Sequence, residues 1–464
     1  MANLKPNMFR AYDLRGLVGE ELNDFSIEII AKAFGTMLIK RGINTAVLGH
    51  DSRKSSEEFR NIFAKALAST GVNVIDLGMI MTPMMYAAQY HFKTKGGVMI
   101  TASHNPNEYN GLKLGLDYSY TTQTEEMREL HELTKTENFA KGEGRITKEE
   151  FFEKYAKDLL GRISLGRKLK VVVNAGNGTA GAFVPKILRD AGYEVVEHLT
   201  NLDPNFPKYY PNPTLVEVME DTGNKVRESG ADIGLAFDGD GDRLGVTDEN
   251  GKTIWADRWL ILLARQTLQK VPGAKIIFDV PCSQALQEDI QAHGGIPVMW
   301  KTGHSFIKAK RAEENAPLAG EKSGHVFFGP PEYYGFDDGA FTALKLLEYI
   351  SKQQKSFSEI ISETPFYVIS PTIHVPCPDE VKYQVVAKIV EDFKKDFKDA
   401  KIIDIDGARV VFNDGWGIVR ASSNLPVLVL RFEAKTEEIM KEIENLFRER
   451  LAKYPEVSQE WRNG

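Results

Sequence analysis

Ser103 and His104 place a hydroxyl beside an imidazole in the segment "TASHNP" (101–106), directly after the apolar run "GGVMI". Three interpretations are open: a serine nucleophile with a histidine base, a turn that is simply polar, or a serine that carries a transferred group. The apolar run predicts a buried strand. Neighbouring side chains diverge on an extended strand end, so we expect Ser103 and His104 to point apart.

The segment "DGDGDR" (238–243) holds three carboxylates, Asp238, Asp240 and Asp242, at alternate positions. Carboxylates so close together repel one another unless a cation neutralises them, and the glycines let the backbone bring them to one point. A magnesium ion, held by few carboxylates and a phosphate oxygen, suits this set best.

The same segment partly matches a calcium EF-hand loop, because Asp238, Asp240, Asp242 and Glu249 occupy its positions one, three, five and twelve. Position six of that loop requires glycine, but Arg243 stands there. The flanking residues predict strands, and "DENGK" predicts a hairpin turn. We therefore favour magnesium over a calcium-binding module.

Two further segments suit sugar and anion binding. In "GEKSGH" (320–325), the carboxylate of Glu321 and the hydroxyl of Ser323 suit two vicinal sugar hydroxyls. Nearby, His304 in "KTGHS" is either a structural histidine or a ligand contact. In "VRASSNLP", Arg420 stands beside hydroxyls and an amide, which together suit an anion.

Three units of the chain repeat one pattern and would position these segments. The units begin at "TAVLGH", "KLKVVVN" and "AKIIFDV", and each continues through a polar loop and a helical stretch to a glycine and another apolar run. Gly71, Gly192 and Gly294 stand where the helices should end. The pattern predicts parallel βαβ units. Such sheets bind ligands at the carboxyl ends of their strands, so one composite cleft is expected.

The predicted fold class is α/β, with three similar α/β domains in series and a C-terminal α+β domain around one central cleft. We place the domains at 1–150, 151–254, 255–366 and 367–464. One large α/β sheet is the alternative. Separate units are favoured because the pattern restarts after long polar stretches such as "TKTENFAKGEGRITKEE".

Composition excludes several classes of protein. Apolar content is 42%, charged content 27% and net charge −7, with no concentrated basic run that would suit nucleic acid. The two cysteines, Cys282 and Cys377, lack metal-ligand spacing and fit a reducing compartment. No apolar run approaches the roughly 20 residues of a membrane span. We expect a cytoplasmic protein without nucleic-acid or membrane partners.

Phosphoryl transfer accounts for more of these segments than ester hydrolysis does. A serine hydrolase needs an oxyanion hole and an acid that orients its histidine, but no metal. Phosphoryl transfer needs a metal and cations around the moving group. A serine that carries a phosphoryl group beside the metal uses every segment, and the separate anion site implies a substrate with a second, distant phosphate.

The four motifs resemble those of the α-D-phosphohexomutases, above all the bacterial phosphomannomutase/phosphoglucomutase branch, over essentially the whole chain. "TASHNP" looks like the family's phosphoserine loop, "DGDGDR" its magnesium loop, "GEKSGH" its sugar loop and "VRASSNLP" its phosphate loop. Many relatives have Ser-Gly-Thr-Glu-Pro in the last loop, whereas this chain has "SSNLP".

The resemblance implies interconversion of hexose 1-phosphate and 6-phosphate, for mannose or glucose, through phosphorylated Ser103 and a bisphosphorylated sugar. It implies Mg²⁺ on the three aspartates and the Ser103 oxygen, and glucose 1,6-bisphosphate or its mannose equivalent as activator. The expected partner is a phosphorylated hexose, and the expected assembly is a monomer or small homo-oligomer. A phosphoglucosamine mutase is the alternative enzyme.

The resemblance also assigns roles to individual residues. The expected catalytic group around the serine comprises His104, Arg15, Lys113 and Arg243. Glu321 and Ser323 would bind O3 and O4 of the sugar. The remaining expected substrate contacts are Tyr12, His304, His325, Arg420, Ser422, Ser423 and Asn424.

Overall fold

Four β-sheets organise the computed structural model, which describes residues 4–423 and 425–463. Within the described part of the chain, no helix is long and apolar enough to cross a membrane. The expected alternative of one large sheet is wrong, because each repeated unit forms a sheet of its own.

The first sheet is mixed. Its strands are β1 (Leu14–Leu17), β2 (Thr45–His50), β3 (Asn73–Met79), β4 (Gly96–Ile100), β5 (Tyr109–Asp117), β6 (Tyr120–Thr121) and β7 (Ile146–Lys148). They lie in the order β1-β5-β4-β2-β3-β7, with β6 paired to β5. Strand β2 pairs in parallel with β3 and β4, and β5 runs antiparallel to β4.

Four helices accompany this sheet. They are α1 (Asp24–Lys40), α2 (Ser56–Ala68), α3 (Thr82–His91) and α4 (Thr124–Thr136), after a short 3₁₀ turn at Pro6–Met8. A reciprocal pair of hydrogen bonds between Asn23 and Ser26 caps the start of α1. On α2, Phe59, Phe63 and Leu67 have helical spacing and are buried, so this face packs on the sheet.

The second and third sheets repeat the same plan. The second has the order β12-β11-β10-β8-β9 and the third the order β14-β13-β15-β16. Their strands are β8 (Lys170–Asn174), β9 (Glu194–His198), β10 (Ile233–Phe237), β11 (Leu244–Thr247), β12 (Thr253–Ile254), β13 (Lys275–Asp279), β14 (Ile296–Trp300), β15 (Leu318–Gly320) and β16 (Val326–Phe328). Their helices, with a 3₁₀ turn at Thr179–Ala182, are α5 (Phe152–Leu160), α6 (Val184–Asp190), α7 (Val216–Ser229), α8 (Ala256–Lys270), α9 (Gln284–Ala292), α10 (His304–Glu313), α11 (Gly339–Ser351) and α12 (Phe357–Ser362).

All three sheets place their polar segment at the same turn. Each contains a set of three parallel strands, of which the first in sequence lies in the middle, and the third of the set turns back into an antiparallel strand. In the first sheet, β7 adds a further parallel strand beside β3. That turn is 101–108 between β4 and β5, 238–243 between β10 and β11, and 321–325 between β15 and β16. An isolated antiparallel bridge between Arg243 and His325 joins the second turn to the third.

The fourth sheet is antiparallel, with the order β19-β20-β21-β22-β18-β23 and β17 paired to β22. Its elements are β17 (Val368–Ile369), β18 (Ile373–Pro376), α13 (Lys382–Asp396), β19 (Lys401–Ile403), β20 (Ala408–Val411), β21 (Gly415–Ala421), β22 (Val427–Ala434), α14 (Glu437–Leu451) and β23 (Arg462–Asn463). This confirms the predicted α+β unit. The expected phosphate loop begins with Arg420 near the end of β21 and precedes β22.

The buried apolar residues of the first three domains and of the fourth domain form separate cores. One continuous core runs through the first three sheets, with Met81, Leu235 and Phe278 among its buried members. The fourth sheet has its own core, which includes Ile389 and Phe432. Contacts of the fourth sheet with the third domain combine a small apolar cluster, in which Val280 packs with Trp416 and Ile418, with buried polar pairs. Arg431 Nη1, for example, donates to Asp257 Oδ2 at 2.7 Å. The first three domains therefore share an apolar block to which the fourth is joined separately.

Candidate active site

Ser103 occupies a tight turn rather than an extended strand end. Its φ is +50°, in the left-handed region, and its amide donates to Thr101 Oγ1 at 2.8 Å. Because of this turn, Ser103 Oγ lies 3.1 Å from His104 Nδ1. The expectation that the two side chains diverge is wrong, since it assumed that the strand continued to Ser103, whereas β4 ends at Ile100.

Arg53, which the sequence reasoning missed, holds this turn in place. Its guanidinium donates to four backbone carbonyls of the serine segment, at Ser103 (2.9 Å), Asn105 (2.6 Å), Pro106 (2.7 Å) and Tyr109 (3.0 Å). The side chain is buried, and carbonyls that would otherwise lack partners are satisfied. Its position directly after β2, in "HDSRK", is the sequence signal that could have drawn attention to it.

The second turn brings its aspartates against this serine. Ser103 Oγ donates to Asp238 Oδ2 at 2.8 Å, across two domains. Gly239 makes the approach possible, because a Cβ at that position would lie 2.4 Å from the Ser103 carbonyl oxygen. A side chain there would push the two turns apart.

Asp238, Asp240 and Asp242 form a buried cluster, with one carboxylate oxygen of each within 4.8 Å of the others. Lys113 Nζ donates to Asp240 Oδ2 at 2.8 Å and also to Asp242. Thr82, at the start of α3, donates its hydroxyl to Asp240 at 2.5 Å, a contact that the sequence reasoning missed.

The three aspartates fit a hard divalent cation. The buried atoms Asp240 Oδ1 and Asp242 Oδ1 have no hydrogen-bond partner among the described residues. Buried carboxylate oxygens are normally paired, so two on one small cluster point to a ligand that accepts their lone pairs. The donor set is entirely oxygen, with a hydroxyl adjacent, as Mg²⁺ prefers. This supports the predicted acidic metal site.

The cluster holds its charges at unequal pKa values. Burial, and then the neighbouring Asp240, raise the pKa of Asp242. Burial also acts to raise the pKa of Asp240, but Lys113 and Thr82 outweigh it, so that pKa falls below its usual range. Burial acts to lower the pKa of Lys113, and the two aspartates raise it overall. The ammonium therefore stays charged.

Two guanidiniums border the serine turn. Arg15 donates to Asp13 Oδ2 at 2.8 Å and to the Thr101 carbonyl at 3.2 Å. Arg243 Nε donates to Asp238 Oδ2 at 2.9 Å, and its buried Nη2 has no hydrogen-bond partner in the described part of the chain. Burial, followed by Arg243 and Arg15, holds the pKa of His104 well below its usual range, so the imidazole is neutral. The structure thus brings together the residues that were expected around the serine, which are His104, Arg15, Lys113 and Arg243.

His304 and His325 lie together beside the metal cluster. Their ring centroids are 5.4 Å apart, and His325 Nδ1 lies 3.7 Å from Asp242 Oδ1. Asp337, which the sequence reasoning missed, faces both rings, at 2.9 Å from His325 Nδ1 and 3.8 Å from His304 Nδ1. Lys308 Nζ lies 3.2 Å from the same carboxylate. This buried polar group supports the interpretation of His304 as a site residue rather than an isolated core histidine.

Glu321 is the most enclosed residue of the sugar segment, with 1% of its surface exposed. Its Oε1 accepts a hydrogen bond from the Gly303 amide at 2.5 Å. Burial, and the nearby carboxylates of Asp279 and Asp337, raise its pKa to about 7, although His325 opposes them. Ser323 is half-buried on the same turn. A carboxyl that titrates near neutrality can either accept or donate a hydrogen bond.

The phosphate loop faces this group from the fourth domain. Arg420 Nε donates to Asp406 Oδ2 at 2.9 Å, and the same oxygen accepts from the Thr302 amide at 3.0 Å. Ser422 Oγ accepts from the Leu425 amide at 3.1 Å. Arg420 and Ser423 line a cavity of about 670 Å³. The last expected contact, Asn424, lies outside the described residues.

Tyr12 connects the first domain to the third. It is 8% exposed and packs edge-on against His304 at 4.7 Å. Burial, and then Asp13 and Glu321, raise its pKa far above the usual range, so the phenol stays protonated. Tyr12 is thus enclosed beside His304, and its expected role at the substrate entrance stays a prediction.

The EF-hand interpretation is wrong. Strands β10 and β11 flank the acidic turn, whereas an EF-hand needs two helices. Glu249, which would supply the twelfth ligand position, accepts hydrogen bonds from Ser358 instead. As predicted, 248–252 form a hairpin turn, with the Asp248 amide bonded to the Lys252 carbonyl at 2.9 Å.

Comparison with known families gives four consecutive matches along the chain. The models are the phosphoglucomutase/phosphomannomutase alpha/beta/alpha domains I, II and III, at residues 6–141, 149–251 and 255–367, and the C-terminal domain at 373–450. The chain belongs to the phosphoglucomutase/phosphomannomutase family. It is therefore an enzyme of the phosphohexomutase class, and its fold is that of the class.

Relatives from this family match over nearly the full length. The chain is 41% identical to a phosphomannomutase/phosphoglucomutase of Pseudomonas putida, over 97% of this chain and 96% of that protein. It is 38% identical to a phosphoglucomutase of Neisseria meningitidis, over 98% and 99%. A crystal structure of a phosphoglucomutase/phosphomannomutase family protein from Burkholderia thailandensis superposes with a TM-score of 0.91, at 37% identity and 99% coverage of both chains.

Proposed function

We propose that this phosphohexomutase interconverts the 1-phosphate and 6-phosphate of glucose, mannose or both through a phosphoserine at Ser103. The observation that carries the proposal is the contact of Ser103 Oγ with Asp238 inside the buried acidic cluster. A serine so placed is poised to hold a phosphoryl group beside a metal. The domain limits 1–150, 151–254, 255–366 and 367–464 belong to the same proposal.

Asp238, Asp240 and Asp242 would hold Mg²⁺, together with the Ser103 oxygen. When bound, Mg²⁺ would neutralise charge on the transferring phosphoryl group. The protein's own cations would act on the same group. Arg15 and Arg243 border the serine turn, and Lys113 contacts Asp240 and Asp242 beside it. These cations would stabilise the equatorial oxygens.

The sugar would be held by residues of the third domain. Glu321 and Ser323 suit two vicinal hydroxyls, with His304 and His325 beside them. Arg420, Ser422, Ser423 and Asn424 would hold the phosphate that does not react. Glucose and mannose differ at C2, so a grip on O3 and O4 would accept both.

The proposed cycle balances without another reactant. The bond between phosphorus and Ser103 Oγ breaks, a bond to a sugar hydroxyl forms, and the hydroxyl proton leaves to a nearby base. The bisphosphorylated sugar then reorients within the cleft, so that its other phosphate faces Ser103. Its other phosphoryl group then returns to Ser103 Oγ as the bond between that phosphorus and the sugar oxygen breaks. The base gives its proton to the freed sugar oxygen, and the product leaves. His104, neutral and 3.1 Å from the serine oxygen, is placed to support the phosphorylated turn.

Intact-mass measurement tests the proposal. Incubation with glucose 1,6-bisphosphate should add one phosphoryl group to the wild-type chain and none to Ser103→Ala. The variant should also lose mutase activity. Unchanged mass in the wild type, together with activity in the variant, would contradict the mechanism.

The Ser103–His104 contact gives the hydrolase alternative one supporting observation. Among the described residues, however, no carboxylate accepts a hydrogen bond from His104, and the serine hydroxyl donates to Asp238. The hydrolase therefore lacks the orienting acid that it needs. Labelling of Ser103 by a serine-directed phosphonate, with ester cleavage independent of magnesium, would favour the hydrolase.

Glucosamine 1-phosphate is the substrate of the alternative mutase. A panel of glucose, mannose and glucosamine 1-phosphates, each assayed for 6-phosphate formation, separates the alternatives. We expect the first two to be preferred. A strong preference for the amino sugar would replace this assignment.

A further inference from the structure

The cavity beside the phosphate loop has charged residues from three domains. Among its lining side chains are the cations Arg10, Lys301, Lys382 and Arg420 and the carboxylates Asp379 and Asp406. Arg420 and Asp406 belong to the phosphate loop's own wall, but Arg10 comes from the N-terminal segment that also carries Tyr12. None of the roles assigned so far requires the guanidinium of Arg10.

Arg10 is held weakly. Its Nη1 lies 3.4 Å from Asp379 Oδ2, at the long limit of a hydrogen bond, and the two side chains are 23% and 37% exposed. Pairs this exposed contribute little, roughly 0.2–1 kcal/mol. The guanidinium can therefore exchange this partner for a stronger one at small cost.

Asp379 does not depend on Arg10. It has a second partner in Lys382, whose side chain is 2% exposed and also donates to the Leu425 carbonyl at 2.9 Å. Lys382 thereby fixes Asp379 and the phosphate loop to each other. When Arg10 leaves, Asp379 keeps its hydrogen bond from Lys382, so its carboxylate is not left without a partner.

Tyr383 lines the same cavity as Arg10 and Arg420. Partial burial raises the pKa of its phenol, and Asp379 adds to this effect. The positive charges of Arg420 and Arg10 act on the same hydroxyl in the opposite direction. Both guanidiniums therefore act on the Tyr383 hydroxyl, and they approach the cavity from different domains.

We propose that Arg10 is a second guanidinium ligand of the sugar's non-reacting phosphate, which it reaches by releasing Asp379. The inference rests on the proposed function. The phosphate would then be clamped between the first and fourth domains, with Arg420 and Ser423 on one side and Arg10 on the other. A dianion receives more charge-assisted hydrogen bonds from two guanidiniums than from one.

Binding to a protein that cannot turn over tests this inference directly. In a Ser103→Ala background, glucose 1-phosphate affinity is measured by calorimetry for the parent and for added R10Q, R10K and D379N. We expect R10Q to weaken binding about tenfold or more, since charged hydrogen bonds contribute about 1.5–3 kcal/mol. R10K should recover part of the loss, because it keeps the charge but not the fork.

Asp379→Asn gives the opposite sign. Asparagine keeps an acceptor for Lys382 but no longer competes electrostatically for Arg10, so affinity should rise about two- to fivefold, the worth of an exposed pair. Lys5→Gln is the matched control. Lys5 lies on the same segment, is 60% exposed and pairs with Glu21 at 3.5 Å, and it is not among the residues that line the cavity.

Each outcome has a defined meaning. Binding by R10Q within twofold of the parent would overturn the inference and leave the proposed function intact. Weaker binding by D379N, equal to that of R10Q, would also overturn it, because the pair would then be a closing contact rather than a competitor. Failure of the parent itself to bind hexose phosphates would overturn the proposed function and this inference together.

Discussion

The serine turn and the phosphate loop lie at opposite ends of the site and are built differently. The serine turn is held firmly: Arg53 donates to four carbonyls between Ser103 and Tyr109, and Gly239 lets the acidic turn touch it. Ser103 and all residues of the acidic turn are buried. The phosphate loop sits on a domain with its own core, beside an open cavity and an exposed Leu425.

The difference matches the two tasks of a mutase. Chemistry at the serine needs atoms fixed to within a fraction of an ångström. The other end must accept the sugar in two orientations, and the separately joined fourth domain gives it room to adjust. Changes at the serine end should therefore lower kcat, whereas changes at the phosphate end should mainly raise KM.

The largest effect is expected from Asp242→Asn. Removing one charge from the acidic cluster should lower kcat by about 10³-fold or more, because metal and phosphoryl stabilisation contribute several kcal/mol. Steady-state kinetics with saturating magnesium measure it. Asp248→Asn is the control: Asp248 is a buried aspartate of the neighbouring hairpin whose backbone hydrogen bonds an asparagine can keep. Equal losses in both variants would contradict the metal role.

Gly239→Ala should come next. The added Cβ would meet the Ser103 carbonyl at 2.4 Å, so the two turns must separate, and displacement of this size can lower kcat about 10²-fold. Gly294→Ala provides the comparison, because that glycine has φ +75° but open space around it. It should lower stability and leave kcat near the wild-type value. If Gly239→Ala behaves likewise, close approach is not what the glycine supplies.

Arg420→Gln should distinguish the two ends. We expect KM for glucose 1-phosphate to rise about 10- to 100-fold with a much smaller change in kcat, in line with a lost charged hydrogen bond. Lys435→Gln, an exposed cation of the same domain paired with Asp414, should change neither. A fall in kcat with unchanged KM would contradict the proposal that changes at the phosphate loop mainly affect KM.

The smallest effect concerns Glu321 and pH. Its folded pKa of about 7 lies above the ordinary 4.5, so the folded state binds the proton more tightly. Stability should therefore fall as pH rises from about 4.5 to 7 and level off above, by at most about 3 kcal/mol. Glu321→Gln should make this slope shallower without abolishing it, because burial also raises the pKa values of Asp242 and Asp338. Thermal unfolding at several pH values measures it, and parallel profiles for the two proteins would refute the assignment.

Much of the architecture follows from local sequence patterns. The three repeated units, the α+β end and the polar turns at strand ends could all be predicted, because periodicity and glycine placement are local properties. These patterns also brought the serine, the aspartates and Glu321 to one cleft, since equivalent turns of similar sheets point the same way.

Contacts between distant residues could not be predicted in the same way. Arg53 reaches a turn 50 residues away, and Asp337 faces His304 and His325 from another loop. The left-handed turn at Ser103 was missed as well, because a non-glycine residue with positive φ is stabilised here by such distant contacts rather than by its own preference.

The burial of Ser103 has a consequence for how the enzyme is kept active. Only 4% of this residue is exposed, in a tight turn whose carbonyl Arg53 holds, so the serine does not present the accessible, extended segment that a protein kinase would need. Under the proposed function, the first phosphoryl group must arrive on a molecule small enough to enter the cleft. The fraction of working enzyme in a cell would then depend on a small metabolite rather than on a signalling cascade.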